Sequence, residues 1–449
     1  MTMRVTNAIT NQFDGKKYAL SKNPMVELNI VRSIGPSLLN RGEHGEAKMV
    51  LDRSRLSSQC TRHEIRKEIH RLFDETPVRD TVRTNYFLEM VKDRLDSLEL
   101  SEEELDKFTD FLLYMISSSE KEVLSKEKRT NTMHQLTFDE ANAIFDYALK
   151  DELFASILEM PRKKATKKKK ADEEEVSEEI ETDKWDYSKV KFDKDKLMEI
   201  LHSMPLSYEI ALFGRFDAAL GRIDGAIGNG HSYSLEAFAN DYDYFVANDT
   251  LLENLFDGPD KRKMNPGAGI LSEKDVVSNT MYNYTYVNPS ILIHNLSLGR
   301  DISKKDVRDA IINEAIDLIE AYIWCCVEVH PSAHQKDMAT FSNPTFMYAT
   351  IGNDVKNESL DSVFIRKTFR TEGEKAVDEI AQEHMITHLG INPFNRNTYV
   401  KRSLVTMLDV TASQKELLDK KNITVDETLD AFLDTVKKEL ESIEFVEVN

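Results

Sequence analysis

The sequence predicts an α+β fold, a small sheet that carries a helical lobe and a long irregular loop. Three observations predict it. The alternating run Met25–Ser33 (MVELNIVRS) reads as a strand, residues 80–160 hold apolar positions at helical spacing, and further strand patterns return, widely separated, after residue 206. A chain of 449 residues can bury a sizeable core, and 41% hydrophobic with 31% charged side chains describes a globular protein with solvated insertions. The longest strongly apolar run, Ala321–Val327, is far short of the ~20 residues of a membrane span. The first thirty residues lack the apolar stretch of a secretion signal, and three cysteines exclude a disulfide scaffold, so a cytoplasmic location is expected.

In chain order, the first strand places Val26, Leu28 and Ile30, or their alternates, on a buried face. A polar loop with Gly35, Pro36, Gly42 and Gly45 follows, then a short strand near Met49–Leu56. From Ser58 the pattern is helical. Ile65, Ile69, Leu72 and Phe73 make its apolar stripe, Ser57 or Ser58 its cap, and Pro77 its end. TNYFLEMVKDRL, LDKFTDFLLYMI and FDEANAIFDYALKDELFASIL then read as an all-helical stretch. A basic block, Arg162–Lys170, runs straight into an acidic one, which is expected to be a flexible linker or surface loop. Ser207–Phe216 reads as a strand, and the glycines from Gly214 to Gly230 as turns or places of close backbone approach. Asn240–Val246 and Asp257–Gly269 suggest an extended excursion that returns as the strand Thr280–Asn288, with Tyr282, Tyr284 and Tyr286 on one face. A long helix near Lys304–Val329 and a helical C-terminal region close the chain.

Net charge is −20, from 59 basic and 79 acidic side chains, and argues at first sight against nucleic acid. The distribution argues otherwise. Residues 53–71 carry six bases against two acids, whereas 172–186 carry nine acids against Lys184. On the helix that opens at Ser57–Ser58, Gln59, Arg62, Arg66 and His70 recur at spacings of three or four, away from the Ile65/Ile69 stripe. Free N–H groups at a helix start, two serine hydroxyls and arginines one turn apart suit a phosphodiester backbone. An ordinary amphipathic helix with a solvated face has the same pattern.

Other chemistry is thinly represented. No phosphate-loop or dinucleotide fingerprint is present, and no cofactor motif is recognised. His384 and His388, one helical turn apart beside Glu383, lack a recognisable third ligand, and Pro331 separates His330 from His334. No nucleophile or acid–base constellation emerges, so an enzyme is not expected.

At these residues the chain resembles the CasC family, the repeated backbone subunits of type I-E CRISPR Cascade complexes within the repeat-associated RNA-binding superfamily. Ser33–Glu43 with Arg55–Lys67 is similar to the family's loop and Ser-Ser-Gln helix. Ile210–Ser234 is similar to its glycine-arginine and Asp-Gly-Ala segments, Asp241–Leu251 through Asn288 to its thumb hairpin, and Val329–Pro344 matches more weakly. The charge blocks and the C-terminal region depart from the pattern. The resemblance implies an RNA-recognition-like (ferredoxin-like) palm, helical fingers and a hairpin thumb. It divides the chain into palm at 1–75, fingers at 76–206 with a charged linker at about 161–186, palm again at 207–237, thumb at 238–280, and the remainder at 281–449.

The resemblance also implies that copies line up along one guide RNA (crRNA), with other Cascade subunits, to present it to target DNA, without a membrane. Asn40, Arg41, Arg55, Ser57, Ser58, Gln59, Arg62, Arg66 and Arg215 would hold the guide, with Arg62 where the family often has lysine. Phe216 stands at the palm methionine, Phe245 at the thumb phenylalanine and Val246 at a threonine; these would support a kinked, flipped-out nucleotide. Two rivals are a metal-dependent endoribonuclease using Asp241 and Asp243, and a helical interaction protein whose basic stripe is only solvated.

Overall fold

The structure, a computed structural model, describes residues 8–40, 49–50, 52–73, 81–171, 174–239, 241–247, 270–355, 357–391 and 399–448. Its centre is a mixed sheet whose middle strands are Pro24–Ser37 and Ile270–Val287, paired antiparallel. On one side of this pair stand Phe346–Asn353, Tyr399–Thr406 and Thr424–Asp426; on the other stand Ser232–Ser234, Arg53–Leu56 and Met49–Val50. Only Tyr399–Thr406 and Thr424–Asp426 run parallel among the described ladder pairs of this sheet.

The strand Pro24–Ser37 is covered on both faces. Val26, Leu28 and Ile30 join a core with the long helix Lys305–Glu328, the helix Pro289–Ser297 and the helix Asp430–Glu441. The opposite face of the sheet meets the helix Val377–Ile391, through Val31, Tyr282 and Phe364. There the polar alternates are consumed internally. Tyr282 donates its hydroxyl hydrogen to Asn29 Oδ1 at 2.7 Å, and the backbone N–H of Glu358 reaches Glu27 Oε1 at 2.8 Å. Burial pushes the Glu27 carboxyl above its ordinary value.

A second core forms a separate lobe. Phe108, Phe111, Ile144 and Phe145 pack together on the helices Glu102–Met115 and Phe138–Ala148, each opened by a capping box (Ser101 with Glu104, Thr137 with Glu140). The lobe is not all-helical, contrary to the expectation from its periodicity. Thr81–Thr84 pairs with His134–Thr137, and Val123–Leu124 with Arg129–Thr130. Nor do the charge blocks form a loop. Arg162–Ala171 and Glu174–Trp185 pair as a hairpin, in a register that sets Lys167 opposite Glu178 and Lys170 opposite Glu175. The hairpin is rooted by Trp185, whose Nε1 donates to Asp106 Oδ2 at 2.8 Å while Arg162 lies 3.6 Å from its ring centroid.

Three further expectations change. Ser207–Phe216 is a short helix, Tyr208–Phe213, followed by the strand Arg215–Asp217; Ser207 caps the helix by accepting from the N–H of Ile210. The C-terminal region adds the strands Phe346–Asn353, Tyr399–Thr406, Thr424–Asp426 and Phe445–Val448 to its helices. Leu72, placed on the apolar stripe, is 42% exposed, because the helix ends there. Gly42, Gly45, Pro77 and Asp257–Gly269 lie outside the described residues. No helix among the described residues is long and apolar enough to cross a membrane.

Candidate nucleic-acid interface

The basic helix spans Ser58–Leu72, with Ser57 as its cap and Ile65 and Ile69 buried. Its start is already satisfied, contrary to the expectation of free N–H groups. Asn40 Oδ1 accepts from the N–H of Ser57 at 2.7 Å, His231 Nδ1 from that of Ser58 at 3.0 Å, and Ser57 Oγ from that of Gln59 at 3.3 Å. The N–H groups of Cys60 and Thr61 both reach the Ser57 carbonyl. Asn40, Ser57 and Ser58 therefore shape the helix entry, with Ser58 itself buried. Arg41 lies outside the described residues. Arg55 is half-buried on the strand Arg53–Leu56 and lines a small cavity with Asn40.

The polar stripe faces a cleft of about 440 Å³. Gln59, Arg62, Arg66 and Phe216 line it, together with Arg83 and Met133, which no sequence pattern singled out. Arg62 donates through Nη2 to the Phe213 carbonyl at 3.2 Å, and the Phe213 ring lies 5.6 and 5.2 Å from the guanidinium carbons of Arg62 and Arg66. Burial first, then the charge of Arg83, lowers the Arg66 guanidinium below its ordinary value; burial is also the main cause for Arg62. Cations crowded in this way gain from an incoming anion.

The cleft's outer lip is the short hairpin Arg215–Asp217 with Gly221–Ile223. It alternates strictly. Phe216 points outward and is 88% exposed, with Arg222 at 5.9 Å from its ring. Arg215 points inward, and this corrects its placement among the contacts. It is 2% exposed, and its guanidinium donates to Glu140 Oε1 at 2.7 Å and to the Leu220 carbonyl at 3.1 Å. Asp217 is held by His134 Nδ1 at 2.9 Å and by the N–H groups of Ala219 and Leu220. Burial opposes its charge, yet these partners hold its carboxyl below the usual value. Gly214, at φ +76°, lets the lip cross the chain closely; a Cβ there would sit 2.6 Å from the Gly225 nitrogen.

Phe245 and Val246 do not line this cleft. They stand on the strand Asp241–Ala247, which pairs with Ile270–Val276. Phe245 is 38% exposed with Lys274 Nζ 4.8 Å from its ring, and Lys274 is tied to Asp337 at 3.1 Å. Asp241 and Asp243 are exposed on the same strand. Among the described residues no group of three histidine, cysteine or acidic side chains is placed to hold a metal. His384 instead lies 3.1 Å from Lys367 Nζ and edge-on to Phe369.

No curated protein matches the chain. Solved structures do. A chain of a "CRISPR RNA-guided surveillance complex, pre-nicking" aligns with a TM-score of 0.65 at 16% identity, covering 93% of this chain and all of the other. A chain of another "CRISPR RNA-guided surveillance complex" aligns with a TM-score of 0.56 at 14% identity, covering 92% and 99%. At such identities the likeness is one of fold. The profile of the CT1975-like proteins matches residues 26–435, a span that holds the central sheet, the helical lobe, the arginine cleft and the exposed hairpin alike, and the chain belongs to that family.

Proposed function

We propose that this chain is a guide-RNA-binding backbone subunit of a type I Cascade-like CRISPR surveillance complex. Copies of it oligomerise along the guide and present it for pairing with target DNA in antiviral defence. In this reading the central sheet is the RNA-recognition-like palm, the separate lobe the fingers and the exposed hairpin the thumb. The type I-E assignment rests on the sequence motifs alone. The observation that carries the reading is the cleft itself, where Arg62, Arg66 and Arg83 stand beside the outward ring of Phe216. Cations for phosphates next to an aromatic platform suit a single strand whatever its bases, which a guide of variable sequence requires. Phe245 and Val246 reach a neighbouring copy and flank a displaced nucleotide there.

The chain acts as a scaffold and not as a nuclease. Purified protein should carry RNA, visible as a raised 260/280 nm absorbance ratio, and an RNA-free ratio with no binding of added guide would favour the helical interaction protein. Incubated with Mg²⁺, Mn²⁺ or Zn²⁺, it should leave single-stranded RNA and DNA intact. Cleavage that disappears in Asp241→Ala or Asp243→Ala would replace the scaffold with an endoribonuclease.

A further inference from the structure

Beneath the arginines lies one carboxylate that the RNA-binding reading does not use. Glu209 is 5% exposed on the short helix Tyr208–Phe213. Side chains from three other elements converge on it. His70 Nε2 lies 2.7 Å from Oε2, Gln135 Nε2 donates to Oε1 at 3.0 Å, and the Nε atoms of Arg66 and Arg83 approach Oε1 at 3.3 and 3.7 Å. The short helix does not need this carboxylate for its cap, which Ser207 provides.

The edge of each arginine that Glu209 takes is informative. A guanidinium has five donors in a planar fork, and a phosphate is gripped best through the terminal pair. Glu209 stands on the inner, Nε side of both arginines, at ion-pair distance and without a hydrogen bond to Arg66 Nε. Arg83 is pinned further by donation from Nη2 to Gln135 Oε1 at 3.2 Å, and Arg62 by its bond to the Phe213 carbonyl. Among the described residues, Arg66 Nε is buried without a hydrogen bond, so its tie to Glu209 at 3.3 Å is one of charge. Building on the RNA-binding reading, we propose that Glu209 is a positioning residue. Its charge draws Arg66 and Arg83 together from their Nε side, so that the Nη groups of Arg66 and the remaining Nη donors of Arg83 meet successive phosphates of the guide.

The sign of the effect distinguishes this role from simple charge. Removing an anion from a cationic cleft should, by Coulomb's law alone, tighten binding of any polyanion. Loss of preorganisation should weaken it although one negative charge has gone. The test measures the affinity of the full chain for single-stranded RNA oligonucleotides of unrelated sequence, for wild type, Glu209→Gln and Glu209→Ala, with melting temperatures recorded alongside.

Glu209→Gln, which keeps the shape and one acceptor, should bind about fivefold more weakly, and Glu209→Ala more weakly still. In an Arg66→Ala/Arg83→Ala background, Glu209→Gln should change affinity by less than about twofold, since nothing remains to be positioned. Tighter or unchanged binding by Glu209→Gln, or an equal loss in the arginine-free background, overturns the role. If Glu209→Ala does not fold, Glu209→Gln decides the matter. Wild-type protein that binds no RNA removes the proposed function and this role together; wild type that binds, with an unaffected variant, removes this role alone.

Discussion

In the cleft, Arg62 and Arg66 are half-buried, and each is gripped from within by a carbonyl, a ring or a carboxylate, whereas along the thumb strand Asp241–Ala247 all seven side chains are exposed. The contrast separates a prepared cationic cleft from an exposed strand. In the proposed reading the cationic grip is prepared before a strand arrives, with burial lowering the guanidinium values of Arg62 and Arg66. The aromatic side chains of the strand Asp241–Ala247 join no core among the described residues, and in the proposed reading a neighbouring copy buries them.

The contrast can be broken first on its buried side. Arg215→Ala should destabilise the folded chain by about 3–5 kcal/mol, measured by urea or thermal unfolding, because Glu140 is left buried without its cation. A loss confined to RNA affinity would return Arg215 to the surface cations. Next in size, Arg62→Ala/Arg66→Ala/Arg83→Ala should weaken guide binding by about a hundredfold for all sequences alike. The slope of log affinity against log salt should fall by roughly 0.7 for each phosphate that is no longer neutralised. An unchanged slope would mean that these arginines hold protein and not phosphate.

The exposed side gives a smaller effect of a different kind. Phe245→Ala should leave the melting temperature of the monomer nearly unchanged while weakening assembly on a guide, by about 1–3 kcal/mol per subunit step. Native mass spectrometry or electron microscopy on a guide of fixed length reads this directly. A large drop in monomer stability with normal assembly would make the thumb strand part of a core. The smallest effect concerns pH. Because the Asp217 carboxyl is held below its ordinary value of 3.8, its contribution to stability is complete above that pH and is lost as pH falls through its lower folded value. Asp217→Asn should therefore flatten the acid end of the stability profile, and an unchanged acid limb would assign that sensitivity elsewhere.

What could be read from the sequence follows from how local each feature is. The basic helix was legible because its cap, its apolar stripe and its arginine stripe all lie close together along one short stretch of chain. Tyr208–Phe213 was not, since a run of six residues is too short for its period to separate helix from strand. The charged hairpin escaped because its pairing joins two blocks of opposite charge, and neither block shows an alternating apolar pattern of its own. In the cleft, Arg62, Arg66 and Phe216 stood in recognisable patterns. Arg83 and Met133 arrive from a different lobe by tertiary packing, and Arg215 looked like a surface cation until alternation on its strand turned it inward.

The eighteen-residue strand Ile270–Val287 has a mechanical consequence. Its first part pairs with the thumb strand and its later part with Pro24–Ser37, and the register slips between Val277 and Asn279. A pull along this strand therefore passes through unbroken backbone into the central sheet. There it loads the ladder in shear, so that many backbone bonds resist together and do not open one at a time. The slip marks the place where bending concentrates under a sideways load. In the proposed reading, the thumb strand is therefore anchored through one continuous strand to the central sheet, with the register slip between Val277 and Asn279 as its place of bending.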